Sequence, residues 1–460
     1  MINLLSRCGN LLQNPSFESG LAFWQADNVI TTDTSPAEGT QAASLGPGVA
    51  SLYQDVALGL FQRKPLFLSF IAYASVAGPG NLVAEVLWLD INGVVAGTGL
   101  RAFLPSASVS SVRKTFFAVT DRPPLNAVWA RIKFSKSATD IPLLLDLVNL
   151  APVESPNLVG NPGFESGLAQ WDATGFAPTF SVLWEGGAAV SQSGAVQGTL
   201  AQDILLNPFL PGAAYLLSFA AQSLLGSTVT VQLIWLNVLG NPIGTPGIDI
   251  TIVPATLSGQ GGYLNFVQLS GPAPVGAVRA RLIFTAAGAA ESSLNLDQVI
   301  LIRLASPNLL QNPGFASGLE EWTSLGVTAQ NTGGYIGQNF AELSSDGALI
   351  NQTVALPPGP ACSCFLLNFA LHYNGEIAVN GNVLAQVRWL DALGNEIGLG
   401  LALVVSQLIQ ANSQWQVYTG FTERAPLLAA SARIQFTSSA GGGASAVIGL
   451  DSVTFARADY

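Results

Sequence analysis

The segment Asn10-Leu-Leu-Gln-Asn-Pro-Ser-Phe-Glu-Ser-Gly-Leu21, followed by Trp24, occurs three times in this chain. It returns as Asn157-Leu-Val-Gly-Asn-Pro-Gly-Phe-Glu-Ser-Gly-Leu168 with Trp171, and as Asn308-Leu-Leu-Gln-Asn-Pro-Gly-Phe-Ala-Ser-Gly-Leu319 with Trp322. The starts are 147 and 151 residues apart, so the repeating unit is a domain and not a solenoid turn. Later landmarks keep the same phase. Leu87-Trp-Leu-Asp, Ile234-Trp-Leu-Asn and Arg388-Trp-Leu-Asp are each followed three residues on by glycine, and the units close on Leu145-Asp-Leu-Val, Leu296-Asp-Gln-Val and Leu450-Asp-Ser-Val. The chain therefore reads as an extension over 1–9 and three copies of one fold over 10–152, 157–304 and 308–457.

Each copy has a β pattern. Runs such as Leu66-Phe-Leu-Ser-Phe-Ile, Thr228-Val-Thr-Val-Gln-Leu-Ile-Trp-Leu and Ala432-Arg-Ile-Gln-Phe alternate apolar with polar or are continuously apolar, and Gly, Pro, Asn and Asp clusters separate them. No sustained 3.6-residue period starts a helix. Many short strands in about 150 residues predict an all-β, two-sheet jelly-roll sandwich. The joints, 151–156 and 305–307, are short and carry prolines 152, 156 and 307, which predicts a rigid rod of three tandem domains.

Only 10% of residues are charged, the net charge is −11 and there are four lysines, Lys64, Lys114, Lys133 and Lys136. That leaves no basic patch for phosphate and argues against nucleic acid as a partner. Apolar residues make up 49%, yet polar breaks interrupt every run before the roughly 20 residues a membrane helix needs, so membrane insertion is not expected. Residues 1–10 lack the basic and long apolar parts of a signal peptide. With so little charge to keep it soluble, the surface is expected to be covered by neighbouring copies; a neutral, polar monomer is the plainer alternative.

With Asn-Leu-x-x-Asn-Pro-Gly-Phe-Glu-Ser-Gly-Leu-x-x-Trp at its start and Asp-x-Val at its end, each unit resembles the jelly-roll carbohydrate-binding modules with a galactose-binding-like fold. It resembles still more closely a Firmicute domain found at the head of repeat-rich spore-surface proteins, in Gly398-Leu-Gly-Leu, Trp415-Gln-Val-Tyr, Ala425-Pro426 and Asp451-Ser-Val. In the carbohydrate-binding modules a structural calcium commonly sits where the opening Glu meets the closing Asp. The resemblance thus implies calcium at Glu18 with Asp146 and at Glu165 with Asp297, needing further oxygens from the backbone. Ala316 replaces the glutamate in the third unit, where no metal is expected. The alternative is that Glu18 and Glu165 cap turn amides without metal.

Nothing in the sequence points to catalysis. His372 is the one histidine, Glu320-Glu321 has no partner carboxylate at recognisable spacing, and P-loop, zinc and nucleophile-elbow motifs are missing. Of the nine tryptophans, Trp24, Trp171 and Trp322 recur at one position and Trp88, Trp235 and Trp389 at another, as core residues would. Trp129, Trp184 and Trp415 share no position and remain as glycan contacts. Cys362 and Cys364 alternate along a strand, so their side chains point to opposite faces, while Cys8 lies in the extension. These three cysteines suggest an intermolecular cross-link from Cys8 of one copy to Cys362 or Cys364 of the next, three unbonded thiols being the alternative.

The sequence favours a non-enzymatic structural protein, a self-assembling subunit of an extracellular or spore-surface fibre or layer built by head-to-tail contacts, with self as partner. The other reading is a multivalent carbohydrate-binding or adhesin protein that takes a surface polysaccharide.

Overall fold

The structure is a computed structural model. It describes residues 9–59, 63–74, 81–106, 108–194, 197–206, 209–224, 226–257, 262–288, 292–359, 363–374, 380–406, 414–441 and 447–458.

The first domain contains β1 (Gln25–Asp27), β2 (Val29–Thr32), β3 (Ala42–Leu45), β4 (Gly48–Ala57), β5 (Leu66–Ala74), β6 (Leu82–Leu89), β7 (Val95–Leu104), β8 (Lys114–Val119), β9 (Trp129–Thr139) and β10 (Leu143–Pro152). They form two antiparallel five-stranded sheets, in the orders β1-β4-β9-β6-β7 and β2-β3-β10-β5-β8. The second domain, from β11 (Asp172–Thr174) to β20 (Ser293–Leu304), and the third, from β21 (Thr323–Leu325) to β30 (Val447–Arg457), repeat both orders strand for strand. One short helix, α1 (Pro254–Leu257), interrupts the β structure. In the first sheet, β6 and β9 alternate buried and half-exposed residues, so one face packs on the core and the other meets solvent. Trp88, Trp235 and Trp389 fill the three cores, and Trp24, Trp171 and Trp322 are also buried.

The repeated opening motif is a structural clamp. Asn14 adopts φ 52°, its amide donates to Gly20 and Ala22 carbonyls, its Oδ1 accepts from Ser19 N–H, and the Trp24 indole donates to its carbonyl. Asn161 with Trp171, and Asn312 with Trp322, make the same bonds. Asparagine suits this place because its short amide tolerates the left-handed region and bonds locally. The closing aspartates are equally structural. Asp146 accepts from Ala37, Glu38 and Leu147 N–H groups, fixing a bulge in β10 where Leu147 has φ 46°.

The rod is corrected by the structure, because the first domain touches the third. β8 packs against its counterparts β18 (Leu264–Leu269) and β28 (Gln416–Phe421), and these two pack on each other. Three equivalent backbone bonds close the arrangement. Gly186 N–H of the second domain donates to Phe103 O of the first, Gly337 N–H of the third to Thr251 O of the second, and Gly39 N–H of the first to Val404 O of the third. A head-to-tail contact that returns to its start after three steps has no net translation, so the domains surround a pseudo-threefold axis. The short proline joints are compatible with a rod and a ring alike. Side-chain packing decides between them. Trp184 stacks on Phe116 and Tyr335 on Phe266, each pair crossing a domain boundary, and Phe67 of the first domain meets Phe421 of the third.

Candidate functional site

The solvent face of the first domain's β1-β4-β9-β6-β7 sheet brings aromatic and charged side chains together in one strip. Alternation along β9 sends Trp129, Arg131, Lys133 and Ser135 to this face. Register places Ala57, Asp55, Tyr53 and Ser51 of β4 opposite them, with Glu85 of β6 beside Lys133 and Arg101 of β7 beside Glu85. Gln25 of β1 pairs with Tyr53 at the edge.

The strip is held in place by its own charges. Arg131 Nε and Nη2 donate to the two Asp55 carboxylate oxygens at 2.6 and 2.7 Å, and its guanidinium lies 4.4 Å from the Tyr53 ring centroid. The hydrogen bond to Asp55 raises the Arg131 pKa further, so the cation is permanent. Arg101 adds a contact to Glu85 at 3.2 Å. Trp129 stands at one end, 39% exposed, facing the small Ala57. A flat apolar ring free at its surface, beside donors and acceptors already oriented by their neighbours, can stack a sugar ring and bond its hydroxyls.

The second domain keeps the ion pair but not the aromatics, and the third keeps neither. Arg281 and Asp203 reproduce the paired bonds in the second domain, but Arg279 and Ala201 stand where the first has Trp129 and Tyr53. In the third, Ser431, Asn351 and Thr353 occupy the places of Trp129, Tyr53 and Asp55. Three equal sites are therefore not present on this face.

Two of the three sequence-derived glycan contacts are corrected. Trp184 is completely buried; its indole donates to Gln298 and its ring lies against Phe116 and Lys114 of the first domain. Trp415 is 5% exposed, packed against Tyr335, Phe340 and His372, and its indole donates to Gly333 O. Both are sealed inside the domain ring, where no polysaccharide reaches. His372 is thereby placed in packing, while Glu321, at φ 70°, sits on an exposed turn.

The residues proposed for calcium do not fit it. Glu18 accepts from Thr40 N–H, Thr40 Oγ1 and Gln41 N–H, and Glu165 from Gly187 and Ala188 N–H. Asp146 and Asp297 each receive three backbone N–H groups. A cation brought to these same oxygens would also meet the positive ends of the N–H dipoles that point at them. Asp451, with no glutamate opposite, makes the same three bonds, so the closing aspartate needs neither partner nor metal to take this shape. Burial pushes all three aspartates above the usual carboxylate range, Asp451 to about 8, against the downward pull of the backbone bonds. Among the described residues no cluster of three metal-binding side chains occurs.

Cys364 is buried and disulfide-bonded within the chain, so it is not free to cross-link to another copy. Cys8 and Cys362 lie outside the described residues. A cleft of about 520 Å³ opens between the first domain's opening loop and the third domain. Several of its polar groups are committed to structure: Glu38 accepts from Val404 N–H, Asn10 binds β10, and Asn149 donates to Thr419 O.

No family model and no curated protein matches the sequence. Solved structures do. Among the similar structures are carbohydrate-binding modules and the enzymatically active domain of bacteriophage CBA120 tailspike protein 4, the latter 18% identical, covering 32% of this chain and 21% of its own, with a TM-score of 0.27. One is TmCBM61 in complex with β-1,4-galactotriose, 19% identical, covering 32% of this chain and 99% of its own, with a TM-score of 0.27. Another is the CBM22-1–CBM22-2 tandem from Paenibacillus barcinonensis Xyn10C, 13% identical, covering 65% of this chain and 98% of its own, with a TM-score of 0.27. A CBM4 structure is 17% identical over 30% of this chain and 99% of its own, with a TM-score of 0.23.

Proposed function

We propose that this chain is a non-catalytic carbohydrate-binding protein that meets its ligand on the solvent face of the first domain's sheet. The observation that carries the reading is the exposed Trp129 at the end of a strip formed by Arg131, Asp55, Tyr53 and Lys133. In this reading the Trp129 ring stacks on a sugar face. Asp55 and Glu85 accept from hydroxyls, and Arg131 and Lys133 donate to hydroxyl or ring oxygens. The ligand is a neutral or weakly charged chain rather than a strongly acidic one, because Asp55 and Glu85 offset the cations. A disulfide persists in oxidising surroundings, which supports a place outside the cell or at its surface. No described helix is long and apolar enough to cross a membrane.

A glycan array followed by titration calorimetry tests this. Trp129→Ala should lower the affinity of the captured glycan at least tenfold with an unchanged melting temperature. Capture of no glycan, or full affinity in the variant, would remove the reading.

A further inference from the structure

Three equivalent segments, 113–115, 263–265 and 415–417, come one from each domain and meet around the pseudo-threefold axis, where with Trp184 they line a cavity of about 20 Å³. Strand register establishes the equivalence. Lys114, Leu264 and Gln416 stand at the same step of β8, β18 and β28, paired with Ala72, Ala221 and Leu371 of the adjoining strands. The cavity has room for one sphere of about the size of a water molecule.

Most polar side chains at its wall already have protein partners. Thr115 donates to Val417 O and Asn265 to Thr115 O, across the axis. The Arg113 guanidinium donates to the Ser35 and Ser406 carbonyls, the Tyr263 hydroxyl to Val182 O, and the Trp184 and Trp415 indoles to Gln298 and Gly333. Lys114 differs. It is 5% exposed and its ammonium lies 5.6 Å from the Trp184 ring centroid, but no described residue gives it a hydrogen-bond acceptor or a counter-charge. Burial pushes its pKa down, to about 8, so at pH 7 the buried group is still charged. The fold does not require this cation, because leucine and glutamine take its place in the sister domains. Arg113 adds a second positive charge where the sisters have Tyr263 and Trp415. In a chain of net charge −11, the described residues lining the axial cavity thus hold two cations and no carboxylate.

We propose that the axial cavity binds one small monovalent anion of halide size against the Lys114 ammonium. A buried cation without a counter-charge leaves its desolvation uncompensated. A water would supply only an acceptor, whereas an anion supplies the acceptor and the opposite charge together. The volume admits chloride and excludes phosphate or a sugar acid. This site is independent of the glycan reading, which rests on Trp129.

The melting temperature of the full chain at pH 7, followed as sodium chloride replaces sodium gluconate at constant ionic strength, tests the site together with the line width of the chloride NMR signal. Gluconate is too large for the cavity. The native protein should gain about 1–3 °C in chloride and broaden the chloride line saturably. Lys114→Leu and Lys114→Gln, which copy the sister domains, should lose both responses. A native protein indifferent to which anion is present, or variants that respond to chloride as the native protein does, would overturn the proposal and leave the cavity to a water molecule.

Discussion

Phe116 and Trp184 belong to different domains, yet their rings lie face to face with centroids 4.4 Å apart and planes 22° from parallel. The pair sits on the first boundary of the ring, and the Lys114 ammonium lies over the same Trp184 ring, 5.6 Å from its centroid.

Trp184→Ala should therefore act on the ring rather than on one sandwich. Removing a fully buried tryptophan costs about 3–5 kcal/mol, and here the void falls between domains. Urea unfolding should lose its single transition and show the first and second domains separating before either melts, with small-angle scattering recording a larger radius at intermediate urea. A variant that stays cooperative and compact would show that the backbone bonds alone hold the ring.

The glycines that close the ring differ in a way that can be measured. Gly186 (φ 69°) and Gly337 (φ 75°) make equivalent bonds, and alanine in this backbone region costs about 1–2 kcal/mol. At Gly186 an added Cβ also meets the Glu165 carboxylate, which is held by two N–H groups, whereas at Gly337 it meets nothing within 4 Å. Gly186→Ala should lower the melting temperature more than Gly337→Ala, and equal losses would mean that Glu165 moves aside freely.

Burial pushes the Lys114 ammonium down to about 8 from an ordinary 10.5. Between these values the unfolded chain binds the extra proton, so stability rises with pH across that window and is lowest, and level with respect to this group, below it. Lys114→Met should be more stable at pH 7, by at most about 3 kcal/mol less the lost contact with Trp184. It should also flatten the rise between pH 8 and 10. Denaturant titrations at pH 7, 8, 9 and 10 check both parts.

Because N–H groups already occupy the Glu18 and Asp146 oxygens, a chelator should leave the melting temperature unchanged in scanning calorimetry. Glu18→Ala should cost about 0.5–1.5 kcal/mol for the exposed hydrogen bonds it removes, since water reaches the freed Thr40 and Gln41 N–H groups, equally with and without added calcium. A calcium-dependent difference would restore the metal.

The fold was largely legible. Spacing alone separated the three domains, and recurrence alone put Trp24 and Trp88 with their counterparts in the core. The clamp around Asn14 was visible as a motif, although its resemblance to sugar-binding modules suggested a metal where the chain uses backbone amides. The ring was not legible, because alternation reports one buried face of a strand and is silent on what covers the other. One trace existed: β8 lies at the edge of its sheet yet reads as a nearly continuous apolar run, Thr115-Phe-Phe-Ala-Val119. An edge strand buried on both faces needs a neighbour. Trp184 was misread for the same reason, since it fills the boundary with the first domain, while Trp415 is taken up by packing within the third.

An assembly of three separate identical chains would have to repeat every substitution three times around its axis. Joining the copies in one polypeptide lifts that constraint. Trp129 and Tyr53 occur once, on one domain, while Arg279 and Ser431 take the tryptophan's place elsewhere. The covalent joints thus allow a symmetric scaffold to evolve a single, lopsided surface, with two sister domains left to hold it in position.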